Sequence, residues 1–216
     1  ARTRAWYLGP VIDWLEISAD YRCNNRCLGC FSVNDAGPRM STGEVFRVLA
    51  KGRADGARFF WMGGGEPTMR ADLLHILKEA RGLGYERIRL QTNGMMLAYE
   101  ELVRRAVDAG LTEVSFSIKG ATAASHDALA QTPGCFELML KAIERIGAAG
   151  LRMEGDLLIY RQNAAELPEM VRLYRERGLE RFFVWLLAAG DVESEEVSAS
   201  VLKIAEVMPH LVRALE

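Results

Sequence analysis

The chain has almost no surplus charge, with 27 Lys and Arg against 29 Asp and Glu. That balance removes the general electrostatic footprint by which proteins hold nucleic acid or anionic membrane, so neither is expected as a partner. Long apolar runs are missing too. The longest, FFVWLLAAG at 182–190, falls far short of the roughly 20 residues that cross a bilayer, and no signal-peptide pattern opens the chain. A cytoplasmic protein is the expectation. Cysteine is scarce, four in 216 residues, which is no disulfide framework for a chain of this size. No linker, low-complexity tract or repeat divides the sequence. One globular domain over 1–216 is expected, with ends that look trimmed because the helical pattern is still running at HLVRALE.

What is present is an alternation. Short apolar runs at 11–18, 57–62, 87–91, 113–118, 152–160 and 181–187 read as strands. The stretches between them carry helical periodicity near 70–82, 97–109, 135–148 and 165–177 and from about 194. A further helix opens at STGE, where Ser41 and Glu44 have capping-box spacing. Regular strand–helix alternation predicts a parallel sheet with right-handed crossovers. Six units are too few for a closed eight-stranded barrel, so the expected fold is α/β, an open partial (β/α)6 barrel with helices on the outer face.

The unusual residues fall at the carboxyl ends of the strands, where such folds bind ligands. After strand one comes YRCNNRCLGCF, with Cys23, Cys27 and Cys30 separated by three and two residues. After the later strands come GGGEP, TNG, KG, RQN and AAGD. Three thiolates on a loop can hold three irons of a cubane cluster and leave the fourth open. A structural zinc would want a fourth protein ligand, and Cys135, His75 and His126 are all distant in sequence. A non-catalytic metal-binding or electron-transfer module is therefore the competing reading.

At this point the chain resembles the radical S-adenosylmethionine (radical SAM) enzymes, whose hallmark is this three-cysteine spacing in the loop after the first strand. The resemblance implies a [4Fe-4S] cluster on Cys23, Cys27 and Cys30, with S-adenosylmethionine chelating the open iron. It implies reductive cleavage of that cofactor to a 5′-deoxyadenosyl radical, which abstracts hydrogen from a substrate, and an electron donor such as a flavodoxin, ferredoxin or reductase. The substrate would be a peptide or a small molecule on a biosynthetic path to a metabolite or cofactor. An activase for a glycyl-radical enzyme is an alternative within the family.

Residue by residue, the resemblance gives Gly64, Gly65 and Glu66 to the methionyl amino group, Asn93 and Ser117 to the cofactor pocket, and Arg161 to the methionyl carboxylate. Leu158 and Leu187 would line the adenine slot. The residue before the third cysteine is commonly aromatic in the family but is Gly29 here. Phe31 becomes the aromatic candidate for the adenine contact. Lys119 either binds a carboxylate or reaches solvent, and His126 and Asp127 read as capping residues in the loop before a helix.

Overall fold

In the computed structural model, residues 12–30, 39–186 and 194–216 are described. Six strands, β1 (Trp14–Ser18), β2 (Phe59–Gly63), β3 (Arg87–Thr92), β4 (Glu113–Ile118), β5 (Arg152–Ile159) and β6 (Arg181–Leu186), pair in sequence order. Every pairing is parallel. The expected partial barrel is the observed one. Between the strands lie α1 (Thr42–Ala54), α2 (Leu73–Gly82), α3 (Glu100–Ala109), α4 (Ala123–Ala130), α5 (Cys135–Ala148) and α6 (Leu167–Arg175). After β6 come α7 (Glu195–Ser200) and α8 (Ile204–Leu215).

Local chemistry fixes the helix starts. Ser41 caps α1 in the expected box: its hydroxyl accepts from Glu44 N at 3.3 Å, and Glu44 Oε2 accepts from Ser41 N at 2.7 Å. Two boundaries differ from expectation. The stretch after β4 is not a plain loop, because α4 starts there, capped by Thr122 Oγ1 accepting from Ser125 N at 3.2 Å. Its run of small residues gives little amphipathic signal, and Gln131 in a left-handed conformation, φ 49°, ends it. The final helix is also two helices, since Val201 is extended.

Alternation along the strands sorts their side chains onto two faces. Phe60, Met62, Ile88, Leu90, Val114, Phe116 and Leu157 join Leu73, Ile76, Leu77, Met139 and Ile143 from the helices in one apolar cluster. The opposite, concave face mixes charged and polar groups with the aromatic rings of Trp14, Phe59, Trp61, Phe183 and Trp185. At its base Glu113 accepts from Arg87 Nη2 at 2.8 Å and Arg89 Nε at 3.0 Å, and Glu154 pairs with Arg89 at 2.8 Å and with Arg181. Burial raises the Glu113 pKa, but the hydrogen bonds from Arg87 and Arg89 outweigh it and hold the carboxyl below its ordinary value. One layer up, Asp156 accepts from Gln91 Nε2 at 2.9 Å, Ser115 Oγ at 2.6 Å and Trp185 Nε1 at 2.9 Å. The half-barrel therefore has its apolar core on the outside of the sheet and, inside, a wall of cross-linked polar groups interleaved with aromatic rings. No helix among the described residues is long and apolar enough to cross a membrane.

Candidate functional site

The cysteine loop leaves β1 at Ser18 and is anchored on three sides. Arg26 N and Leu28 N donate to Ala130 O at 3.2 Å and Leu129 O at 2.9 Å, the carboxyl end of α4. From β5, the buried Tyr160 hydroxyl donates to Leu28 O at 3.0 Å. From β2, Gly65 N donates to Asp20 O at 2.8 Å and Glu66 N to Arg22 O at 2.7 Å. The last pair needs close backbone approach. A Cβ on Gly65 would meet Arg22 O and stand 2.6 Å from Tyr21 C, and one on Gly64 would stand 2.5 Å from Asp20 O. The glycines thus clamp two loops together, besides any service they give a ligand.

Gly29 has φ 63°, so the turn between Cys27 and Cys30 uses the left-handed region. A bulky aromatic there would be strained, which gives a physical reason for the missing ring. Phe31 and Leu187 lie outside the described residues.

Glu66 is buried and its carboxylate faces a set of donors: Thr68 N at 3.0 Å, Thr92 Oγ1 at 2.7 Å and the Thr68 hydroxyl, all on Oε1, and Asn93 N at 2.8 Å on Oε2. Burial raises its pKa despite these donors. Asn93 extends the chain of contacts, its amide reaching Asn24 Oδ1 at 2.7 Å and Cys23 Sγ at 3.8 Å, while its Oδ1 accepts from Met95 N at 3.0 Å. Glu66 and Asn93 therefore tie the ends of β2 and β3 to the first cysteine. Thr68 and Thr92 complete this knot and were not singled out in the sequence, where no spacing rule marks them.

The three cysteines are half-buried. Cys23 is pushed up to about 11, by burial first, and then by Glu66, Cys27 and Cys30 around it, although Asn25 N donates to its sulfur at 3.4 Å. Three thiols and a carboxylate within electrostatic reach of one another form a site that positive charge would relieve. Among the described residues no three His, Cys, Asp or Glu side chains close on a single ion.

The remaining expected residues fall as follows. Ser117 is half-buried on the concave face, in register with Asp156. Leu158 packs beside Leu28, Leu129 and Tyr160. Arg161 does not turn to the mouth: it donates to Ala199 O at 3.2 Å, Val201 O at 2.8 Å and Glu206 Oε1 at 2.7 Å, holding the segment that carries α7 and α8. Asn163 locks two strand ends, donating to Lys119 O at 2.7 Å and Leu158 O at 2.9 Å. Asp127 caps α5, accepting from Gly134 N at 2.6 Å and Phe136 N at 2.8 Å, and it receives the Cys135 thiol at 3.2 Å. Cys135 is fully buried, its thiol pushed up to about 12 by burial and by Asp127.

His126 lies within α4 and is buried, with Nδ1 accepting from Lys119 N at 3.3 Å. Burial, and next the charge of Lys119, press its pKa from 6.5 down to about 3. Because the folded value is the lower one, the stability this neutral ring contributes is present above pH 6.5 and lost as pH falls towards 3. Unfolding free energy is expected to fall by about 2 kcal/mol from this group between pH 6.5 and 5. Urea denaturation at the two pH values should show that component in the parent and not in His126→Asn.

A family model described as the radical SAM superfamily matches residues 18–174. An AdoMet-dependent heme synthase of Methanosarcina barkeri (strain Fusaro / DSM 804) is 30% identical over 194 residues, covering 87% of this chain and 54% of that protein. The molybdenum cofactor biosynthesis protein moc-5 of Caenorhabditis elegans is 28% identical over 187 residues, covering 83% of this chain and 31% of the relative. The chain thus spans about half or less of these relatives' length. In fold, it is similar to crystallised Streptococcus suis SuiB, with a TM-score of 0.77 at 17% identity, over 94% of this chain and 46% of that one. SuiB bound to S-adenosylmethionine gives 0.75 at the same identity, over 93% and 47%.

Proposed function

The chain belongs to the radical SAM superfamily, a family of enzymes, and from that membership we propose that it binds a [4Fe-4S] cluster and S-adenosylmethionine to begin hydrogen abstraction from a substrate. The observation that carries this reading is the anchored loop: Cys23, Cys27 and Cys30 between β1 and α4, clamped to the β2 loop and joined to the end of β3 through Asn93. Cys23, Cys27 and Cys30 hold three irons. When bound, the cluster and cofactor would supply one-electron cleavage of the sulfonium to methionine and a 5′-deoxyadenosyl radical able to take a hydrogen atom from an unactivated carbon.

The chain's own residues orient and shield. Glu66 Oε1 is filled by three donors, and Oε2, which takes only Asn93 N, has accepting capacity for the methionyl ammonium beside Cys23. The Gly64 and Gly65 carbonyls assist there. Ser117 and Asn93 serve the nucleoside end, and Leu158, with Phe31 and Leu187, the adenine. The electron comes from a flavodoxin, ferredoxin or reductase. Relatives named for heme synthesis and molybdenum-cofactor biosynthesis favour a small biosynthetic intermediate as substrate. A peptide is the other class, and a fold neighbour is SuiB bound to its precursor peptide SuiA.

The test is anaerobic reconstitution with iron and sulfide, followed by dithionite and S-adenosylmethionine. The expected products are 5′-deoxyadenosine and methionine, and Cys135→Ala keeps its full iron complement. A loaded cluster that yields no 5′-deoxyadenosine would overturn the reading. Loss of iron in Cys135→Ala would favour a four-cysteine electron-transfer module.

A further inference from the structure

Lys119 follows the last residue of β4 and is only 2% exposed, so its side chain does not run out to solvent. The main chain around it is fixed from both sides: its N–H donates to His126 Nδ1 at 3.3 Å and its carbonyl accepts from Asn163 Nδ2 at 2.7 Å. Its ammonium has no such partner. It makes no hydrogen bond or ion pair with a described residue, and the small opening left to this side chain reaches Nζ. The acids of the neighbouring segments are committed elsewhere. Asp127 takes Gly134 N, Phe136 N and the Cys135 thiol, and Glu166 Oε2 takes Ala121 N at 2.9 Å and Ser125 Oγ at 2.7 Å.

An ammonium held in a nearly buried place with no counter-charge beside it has charge and donors that an anionic ligand would satisfy. The place agrees. Lys119 directly follows Ile118, the last residue of β4, and continues the alternation of Glu113, Ser115 and Ser117 on the concave face, so it stands at the carboxyl end of the sheet, where the cysteine loop also lies. Arg161, the arginine expected to meet an anion there, is engaged with Ala199, Val201 and Glu206. A single ammonium offers one charge and three donors with no planar fork, which matches a monoanionic carboxylate better than a phosphate dianion.

We propose that Lys119 is a carboxylate-binding anchor at the mouth of the half-barrel. It receives either the methionyl carboxylate of S-adenosylmethionine or a carboxylate of the substrate. The identification of the mouth and of S-adenosylmethionine as a carboxylate source rests on the proposed function.

The experiment compares the reconstituted parent with Lys119→Met and Lys119→Arg. One arm measures by calorimetry the affinity for S-adenosylmethionine and for its carboxamide analogue. The other follows carbon-13 acetate by line broadening on protein saturated with S-adenosylmethionine. If the cofactor's carboxylate is the ligand, Lys119→Met weakens S-adenosylmethionine by about tenfold or more and shrinks the preference over the carboxamide by the same factor, while Lys119→Arg keeps part of both. If the substrate's carboxylate is the ligand, cofactor affinity is unchanged and acetate broadening disappears in Lys119→Met.

In both cases the ligand-free Lys119→Met protein melts at or above the parent temperature, because an unpaired buried charge has gone. A lowered melting temperature would show that the lysine is internally paired and overturn the proposal. So would a Met variant that leaves both binding arms unchanged. Parent protein that never holds iron or forms 5′-deoxyadenosine would instead defeat the proposed function, and the acetate and melting measurements, repeated without cofactor, would still report on Lys119.

Discussion

Gly65→Ala is expected to lower the unfolding free energy by about 3 kcal/mol and to remove most of the iron that the protein takes up. The added methyl group would stand 2.6 Å from Tyr21 C and against Arg22 O. Both are backbone atoms, so no rotamer change can make room. Relief requires the cysteine loop and the β2 loop to part, which breaks the bonds from Gly65 N to Asp20 O and from Glu66 N to Arg22 O. Chemical denaturation and iron per chain after reconstitution give the two readouts. Gly82→Ala is the control: it closes α2 in open space and should stabilise by roughly 0.5–1 kcal/mol. A Gly65→Ala protein with parent stability and a full iron complement would show that the clamp is not needed.

Glu66→Ala has the second large effect. It leaves Thr68 N–H, the Thr68 and Thr92 hydroxyls and Asn93 N–H facing a cavity in place of a carboxylate. Stranding several buried donors is expected to lower stability by about 4 kcal/mol. Glu66→Gln is milder, roughly 2 kcal/mol, because an amide oxygen can keep the three donors of Oε1 while its NH2 opposes Asn93 N–H. Asn93 carries the contact to Cys23, so iron loading should fall in the same order, least in the parent's favour for Gln and most for Ala. Equal denaturation midpoints for Ala and parent would refute the account.

The strands and their order were legible because six apolar runs between amphipathic stretches admit few topologies. The cysteine spacing marked the loop that matters for a similar reason: three thiols in eight positions have few bland explanations. What the sequence could not carry was direction. Arg161 is the residue type a ligand carboxylate wants, yet it holds the α7–α8 segment, and Glu66 braces Thr68, Thr92 and Asn93 as well as facing the proposed ammonium site. Whether a polar side chain faces a ligand or a neighbouring loop depends on contacts 26 to 45 residues away in sequence, beyond any local pattern. Helix α4 was missed because Ala-rich small residues give no stripe. Lys119 was ambiguous between solvent and ligand until its burial was known.

The concave wall has a consequence for how a radical could be kept from escaping. Its charged base and the Asp156 layer are polar groups bound mostly to one another, while Phe183 and Trp185 beside them stay exposed. On the proposed function, the occupants must exclude water from the cofactor by filling the half-barrel against the exposed rings of Phe183 and Trp185. A substrate too short to fill the space would leave solvent beside the cofactor, and cofactor cleavage would then outrun product formation. The ratio of 5′-deoxyadenosine to product becomes a gauge of fit, one by which candidate substrates can be ranked.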